Sequence, residues 1–223
     1  MKMSKKIGIV FVAMGAVLVI SALLLFLYNG LENRQAGQEA ESMLKNIQTI
    51  ILQETPHAEN TADADNDNDD RDHSETTETL SPEMPVIEID GYAYIGYLSV
   101  PDLDLELPIM DDWDDERLKI APCRHFGSSR TDDLVIAAHN YKKHFGYLSK
   151  LQIGSEIFFT DMENIENHYV VVKEPEVLAA NDVDTVQNSG FDLVLYTCTP
   201  GGATRVAVFC NRISEETDGN GHG

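Results

Sequence analysis

From Ile7 to Tyr28 the chain runs for 22 residues without a charged side chain (IGIVFVAMGAVLVISALLLFLY). A helix of that length rises about 33 Å, enough to cross the hydrocarbon core of a bilayer. Whatever the remainder folds into must therefore work beside a membrane. Lys2, Lys5 and Lys6 precede the run, and Glu32, Arg34, Glu39 and Glu41 follow it. A cationic flank is retained in the cytoplasm, which predicts a cytoplasmic amino terminus and an extracellular remainder. The run is longer than the apolar region of a signal peptide and has no clear small-x-small exit site. An uncleaved single-pass anchor is expected over residues 1–30.

Beyond the anchor, Ala40, Met43, Leu44, Ile47, Ile50 and Ile51 recur at helical spacing. They predict an amphipathic stalk or a self-association surface. The stretch Glu54–Pro85 then carries eleven carboxylates and one basic residue, Arg71. So little apolar surface cannot offset the entropy of folding, so residues 31–85 are read as a stalk and a disordered, self-repelling spacer. DADNDNDD within it lacks the turn Gly and distal Glu of a calcium loop. The whole chain has a net charge of −22 and no basic stripe, which excludes nucleic acid as a partner. Its three cysteines, Cys123, Cys198 and Cys210, form neither a disulfide framework nor a Cys-x-x-Cys pair, and no metal or cofactor is expected.

The folded domain is expected over residues 86–213, with a polar tail at 214–223. Short β-branched and aromatic runs alternate there with turn residues: YAYIGYLSV, LDLELPIM, LVIAA, EIFFT, NHYVVVKEPEVL, FDLVLYT and TRVAVFC. Seven or eight such strands predict an all-β barrel or sandwich. Short helices are expected at Asp114–Lys119 and Tyr147–Leu151.

Three strand ends carry the chemistry. LVIAAHN brings a buried strand to His139, LVLYTCTP brings another to Cys198, and TRVAVFC opens with Arg205 seven residues later. Groups at strand ends are displayed at a rim by a rigid scaffold. A thiol becomes a strong nucleophile as its thiolate, which an imidazole and a guanidinium both favour. Histidine exchanges protons near neutral pH, and arginine holds a developing oxyanion through forked donors. Singly, each residue is as well explained by packing or by a surface ion pair. Together they select a nucleophile, an acid/base and an oxyanion stabiliser.

These segments resemble the sortase family, whose members show a Thr-Leu-x-Thr-Cys strand, a histidine closing an earlier strand and an arginine opening the next. Leu195, Thr197 and Cys198 keep that pattern, with Val194 in place of the first Thr and Ala138 where many members have Gly before the histidine. Tyr94–Pro101 followed by Leu107-Pro108-Ile109 is similar to the family's opening strands, and Phe158–Asp161 to the strand after the histidine. The likeness spans about Tyr92–Arg212. Subclass features point in different directions. The interval from His139 to Cys198 is shorter than in class B, and no second span suggests class C, yet LKIAPCRHFGS and HNY have a class B character.

The resemblance implies a closed sortase-like β-barrel and a cysteine transpeptidase. Cys198 would attack the Thr carbonyl of an LPXTG-like signal on surface proteins. An amine of a cell-wall precursor would then accept the acyl group, with His139 moving protons and Arg205 stabilising the oxyanion. The Thr199 backbone N–H is a candidate second oxyanion donor. Two other readings are a surface cysteine protease or hydrolase and a non-catalytic anchored binding module. Cys210 is expected to pack in the core, since an odd step along one strand separates it from Arg205. Cys123 is read as a loop residue without an assigned role. His125 and His144 are read as solvated loop residues, and Trp113 as covering one end of the barrel.

Overall fold

The computed structural model describes residues 3–54, 81–182 and 184–213. Most of the predicted acidic spacer and the whole tail at 214–223 lie outside the described residues.

One unbroken helix, α1 (Met3–Glu54), contains both the apolar run and the segment after it. Its stretch Gly8–Tyr28 has a mean hydropathy of 2.9, and none of it is buried within the protein. It is long and apolar enough to cross a bilayer. Further along, Ala36, Ala40, Leu44, Ile47 and Ile51 are all buried. Steps of three and four residues put these on one helical face. That face docks on the chain's own β-domain rather than standing free as a stalk. Ala40 joins the main core, while Ile47 and Ile51 pack with Tyr94, Met110, Cys123 and Met162. An apolar stripe states that a helix is covered but not by what, which is why the sequence left this contact open.

Among the described residues ten strands follow: β1 (Ile87–Ile89), β2 (Tyr92–Val100), β3 (Leu105–Met110), β4 (Cys123–Phe126), β5 (Leu134–Ala138), β6 (Glu156–Asp161), β7 (Glu166–Val171), β8 (Glu176–Ala179), β9 (Leu193–Cys198) and β10 (Thr204–Arg212). Eight close a mixed barrel in the order β2-β3-β4-β5-β9-β10-β7-β6, with β6 pairing back to β2. The short β1 lies beside β2, and β8 pairs with the first residues of β10. The expected closed barrel is therefore present, with two extra short strands. Pairings β3–β4 and β5–β9 are parallel and the others antiparallel. A parallel neighbour needs a long crossover, and the connection from β5 to β9 contains β6, β7 and β8.

Closure depends on Gly96. It has φ +144° and lies where β2 meets both β3 and β6. A Cβ at this position would come 2.0 Å from the Thr160 carbonyl oxygen, so no other residue fits the seam. Asp161, fully buried at the same seam, accepts from the backbone N–H groups of Glu163 and Ile165 and from Arg130 at 2.8 Å. That pairing satisfies a charge that would be costly to bury alone.

Two short helices fall where expected, slightly displaced. Asp114 Oδ1 accepts from the N–H groups of Glu116 and Arg117, which starts α2 at Arg117–Ile120. The second is a 3₁₀ turn at Leu148–Lys150. A four-residue α3 (Asp184–Gln187) was not anticipated. Strand β4 corrects the reading of Cys123 as a loop residue. CRHF is too short and too polar to signal a strand, and it becomes one by pairing with β5.

Inside the barrel, Leu193 and Leu195 of β9 join Leu134, Ile136, Phe159, Tyr169 and Val208. Val194 faces the other way, with Val135, Ala207 and Phe209. The period-two alternation of strands thus gives β9 two apolar faces. If α1 is integral to the fold, Ile47→Ala should destabilise the domain by about 2–5 kcal/mol, read as a lower urea midpoint. A solvated stalk residue would shift it by no more than about 0.5 kcal/mol.

Candidate active site

The three sequence-selected residues meet at one rim of the barrel. Strands β5 and β9 run parallel in continuous register from Leu134↔Leu193 to Ala138↔Thr197. His139 therefore follows the last residue of β5 just as Cys198 follows Thr197 on its neighbour. On the other side, Cys198 and Arg205 are direct antiparallel partners across β9 and β10. Adjacent strands lie about 4.8 Å apart, so Cys198 lies between His139 and Arg205 on a three-strand edge.

Local bonds hold this edge. Thr197, buried, donates its hydroxyl to the Ala138 carbonyl at 2.8 Å, tying β9 to β5 at the pair just before Cys198 and His139. The Thr-Cys dipeptide is thus a cross-strand clasp followed by a thiol. At the β9–β10 turn, Thr199 N–H donates to Thr204 O at 3.0 Å and Gly202 N–H to Thr199 O at 2.8 Å. The Thr199 N–H is consequently committed to the turn, which removes it as the second oxyanion donor. Arg205 Nη1 donates to the carbonyls of Gly202 and Thr204 at 3.0 and 3.1 Å. One nitrogen of the fork is thereby anchored to the β9–β10 turn, next to the strand position that pairs with Cys198.

Burial separates the three thiols. Cys123 and Cys210 are fully buried, whereas Cys198 is partly exposed and free. Burial pushes the Cys123 thiol up to about 12 and raises Cys210 further. A thiol kept protonated is neither nucleophile nor metal ligand. Cys210 packs with Val208 in the main core, as strand parity requires. Among the described residues, no group of three or more His, Cys, Asp or Glu is arranged to hold a metal ion.

Two histidines depart from the sequence reading. His125 lies on β4, and its Nδ1 is 3.1 Å from the Tyr196 hydroxyl. Its ring also meets Trp113 edge-on at 5.0 Å. Trp113 does not cap the barrel. It remains 46% exposed and lines a cleft of about 400 Å³ with Asp111, Asp112, Arg117, Arg124, His125 and Phe126. Tyr196 shares the face of Cys198 two residues along β9. Burial pushes its hydroxyl up to about 12, so it stays neutral. His144 is fully buried rather than solvated, and burial, with His139 nearby, lowers it to about 4. Both misreadings have one cause: the polar neighbours Arg124 and Lys143 signalled solvent, while the burial comes from distant segments.

Arg212, the other arginine of β10, lies seven residues from Arg205, about 23 Å along the strand. It donates to Asp132 at 2.8 Å and to Tyr169 at 3.2 Å, and its backbone N–H donates to Asp192 at 2.7 Å. It fastens the far end of the barrel.

The sortase-domain family profile matches residues 98–213, just over half of the chain. Among solved structures, sortase A from Corynebacterium diphtheriae superposes with a TM-score of 0.51 at 21% identity, covering 57% of this chain and 64% of that one. Sortase C of Streptococcus pneumoniae gives a TM-score of 0.49 at 24% identity, covering 54% and 66%. A Clostridium perfringens sortase D5 gives 0.48 at 21%, covering 54% and 79%. The chain thus spans just under two thirds of the first two of these proteins. No curated protein matches it. With the matched region covering β5, β9 and β10 and the barrel superposing on a solved sortase, the chain belongs to the sortase family, a family of cysteine transpeptidases.

Proposed function

We propose that the protein is a single-pass membrane transpeptidase, amino terminus cytoplasmic and barrel extracellular. It cleaves an LPXTG-like sorting signal on surface proteins and joins the acyl product to an amine of a cell-wall precursor. The observation that supports the reading is the β5–β9–β10 edge, where Cys198, partly exposed, lies between His139 and Arg205. The apolar stretch Gly8–Tyr28 and the lysines before it support the orientation.

In this reading the Cys198 thiolate adds to the Thr carbonyl carbon, and the π electrons move onto oxygen. Arg205 faces that oxyanion with the free edge of its fork. The oxyanion collapses, the C–N bond to the following glycine breaks, and His139 gives the leaving amine its proton. A thioester remains on Cys198. The incoming amine attacks it, His139 removes a proton, and the thiolate departs as the new amide forms. One imidazole thus serves both proton transfers. The same thioester can be opened by water, so amine and water compete for it.

Intact cells carrying the full chain, given a membrane-impermeant LPXTG-like peptide and a primary amine, should release the amide product outside, and Cys198→Ala should abolish it. The free acid as sole product would make the protein a hydrolase. An unchanged peptide, with the domain shown to be folded, would leave only a binding module or a barrel on the wrong side.

Arg205 provides the sharper kinetic test. An interaction made only as the oxyanion forms raises turnover rather than affinity. Losing one such donor costs roughly 100- to 1,000-fold in turnover. Lysine keeps the charge but loses the planar fork, so Arg205→Lys should remain impaired on that scale with KM little changed. Arg212→Lys should lower thermal stability and leave turnover per folded molecule near normal. Near-normal turnover of Arg205→Lys would remove Arg205 from the mechanism.

A further inference from the structure

The helix that emerges from the membrane segment reaches the loop that carries His139. After His139 the chain doubles back. Phe145 N–H donates to His139 O at 3.2 Å, and the His144 and Gly146 N–H groups both donate to Tyr141 O at 3.0 Å. Two side chains of this loop reach α1. The Lys143 stem lies across Gly37, where an added Cβ would come 3.0 Å from Lys143 Cγ and 3.2 Å from its Cβ. His144 is fully buried, and the backbone of Ala36 is the α1 group that faces its ring. Tyr141 completes the path, its ring 5.4 Å from His144 and 5.0 Å from His139.

The residues of α1 match this contact. Ala36, Gly37 and Ala40 are small and allow close approach, whereas Leu44, Ile47 and Ile51 fill the space further along. Glycine inside a helix costs about 1 kcal/mol relative to alanine. At position 37 it provides the room that the Lys143 stem occupies. The consequence falls on His139, which lies one residue beyond β5 and is no longer held by strand pairing. Proton transfer requires heavy atoms about 2.6–3.2 Å apart, and a misplacement of about 1 Å can cost roughly 100-fold in rate.

We propose that α1 is a positioning element for His139: the seam Ala36–Gly37–Ala40 seats the Asn140–Gly146 loop, and through His144 and Tyr141 it sets where the imidazole stands relative to Cys198. The inference rests on the reading of His139 as the acid/base group. It gives the membrane helix a part in catalysis besides tethering. Because α1 is continuous, Ala36 lies about 12 Å along the helix from Tyr28, so the same contact fixes the site close to the bilayer surface.

The test uses the full chain in detergent. Gly37→Leu displaces the Lys143 stem while favouring the helix, so kcat should fall about tenfold or more with KM and thermal midpoint unchanged. Adding Lys143→Ala removes the Cγ that collides most closely, at 3.0 Å, and the rest of the stem beyond Cβ, and should restore most of the lost kcat. Gln38→Leu, on an exposed position of the same turn, should leave kcat unchanged. The proposal is overturned if Gly37→Leu stays within twofold of the parent. It also falls if the loss appears in KM or the midpoint, or persists with Lys143→Ala. His139→Ala in the same assay separates the two readings. If it abolishes turnover while Gly37→Leu is silent, only the positioning role falls. If it leaves turnover at saturation intact, the acid/base assignment falls with it.

Discussion

The parallel pairing of β5 with β9 is the contact on which the site depends. The two strands are separated in the chain by three other strands and two short helices, and the register from Leu134↔Leu193 to Ala138↔Thr197 brings their ends level. A slip of one residue would turn Cys198 to the opposite face of the sheet. Two constraints resist that slip. Leu193 and Leu195 fill the barrel interior while Val194 packs with Val135, Ala207 and Phe209 on the other face, and a slip would force each set into space shaped for the other. The Thr197 hydroxyl, bonded to Ala138 O, would lose its partner in a buried setting. Core packing and site geometry are thus specified by the same six residues of β9.

What was legible in the sequence follows from how local each signal is. Cys198, His139 and Arg205 could be picked out as a group because each terminates or opens an apolar strand, a pattern readable over seven residues, and the strand pairing makes them neighbours. The core position of Cys210 followed from strand parity alone. Strand β4 was missed because its residues acquire their conformation from β5, not from their own propensity. His125 and His144 were misread for a related reason. Each sits beside a basic residue, but Tyr196 and Trp113 cover one, and α1 with Tyr141 lies against the other. The Thr199 amide looked available because its partner, Thr204 O, lies across a turn whose closure the spacing did not reveal.

The long apolar segment and the part of α1 that packs on the barrel are one continuous helix. A free stalk would let the domain take many orientations relative to the apolar segment. A continuous α1 with a buried face removes that freedom. It also shields Cys123, whose burial under Ile47 and Ile51 keeps the thiol protonated. Of three cysteines in a protein proposed to work outside the cell, Cys123 is made inert under α1 and Cys210 inside the barrel, and one is left at the rim.

The central claim is that the β5–β9–β10 edge makes Cys198 the acyl carrier, and intact mass measurement tests it most directly. The full chain, mixed briefly with an LPXTG-like peptide and no added amine, then quenched in acid, should gain the mass of the peptide's acyl portion. Digestion should locate the adduct on the segment containing Cys198, and hydroxylamine should remove it, as expected of a thioester. Product formation with the adduct on Cys123 or Cys210, or with the same adduct on Cys198→Ala, would contradict the account.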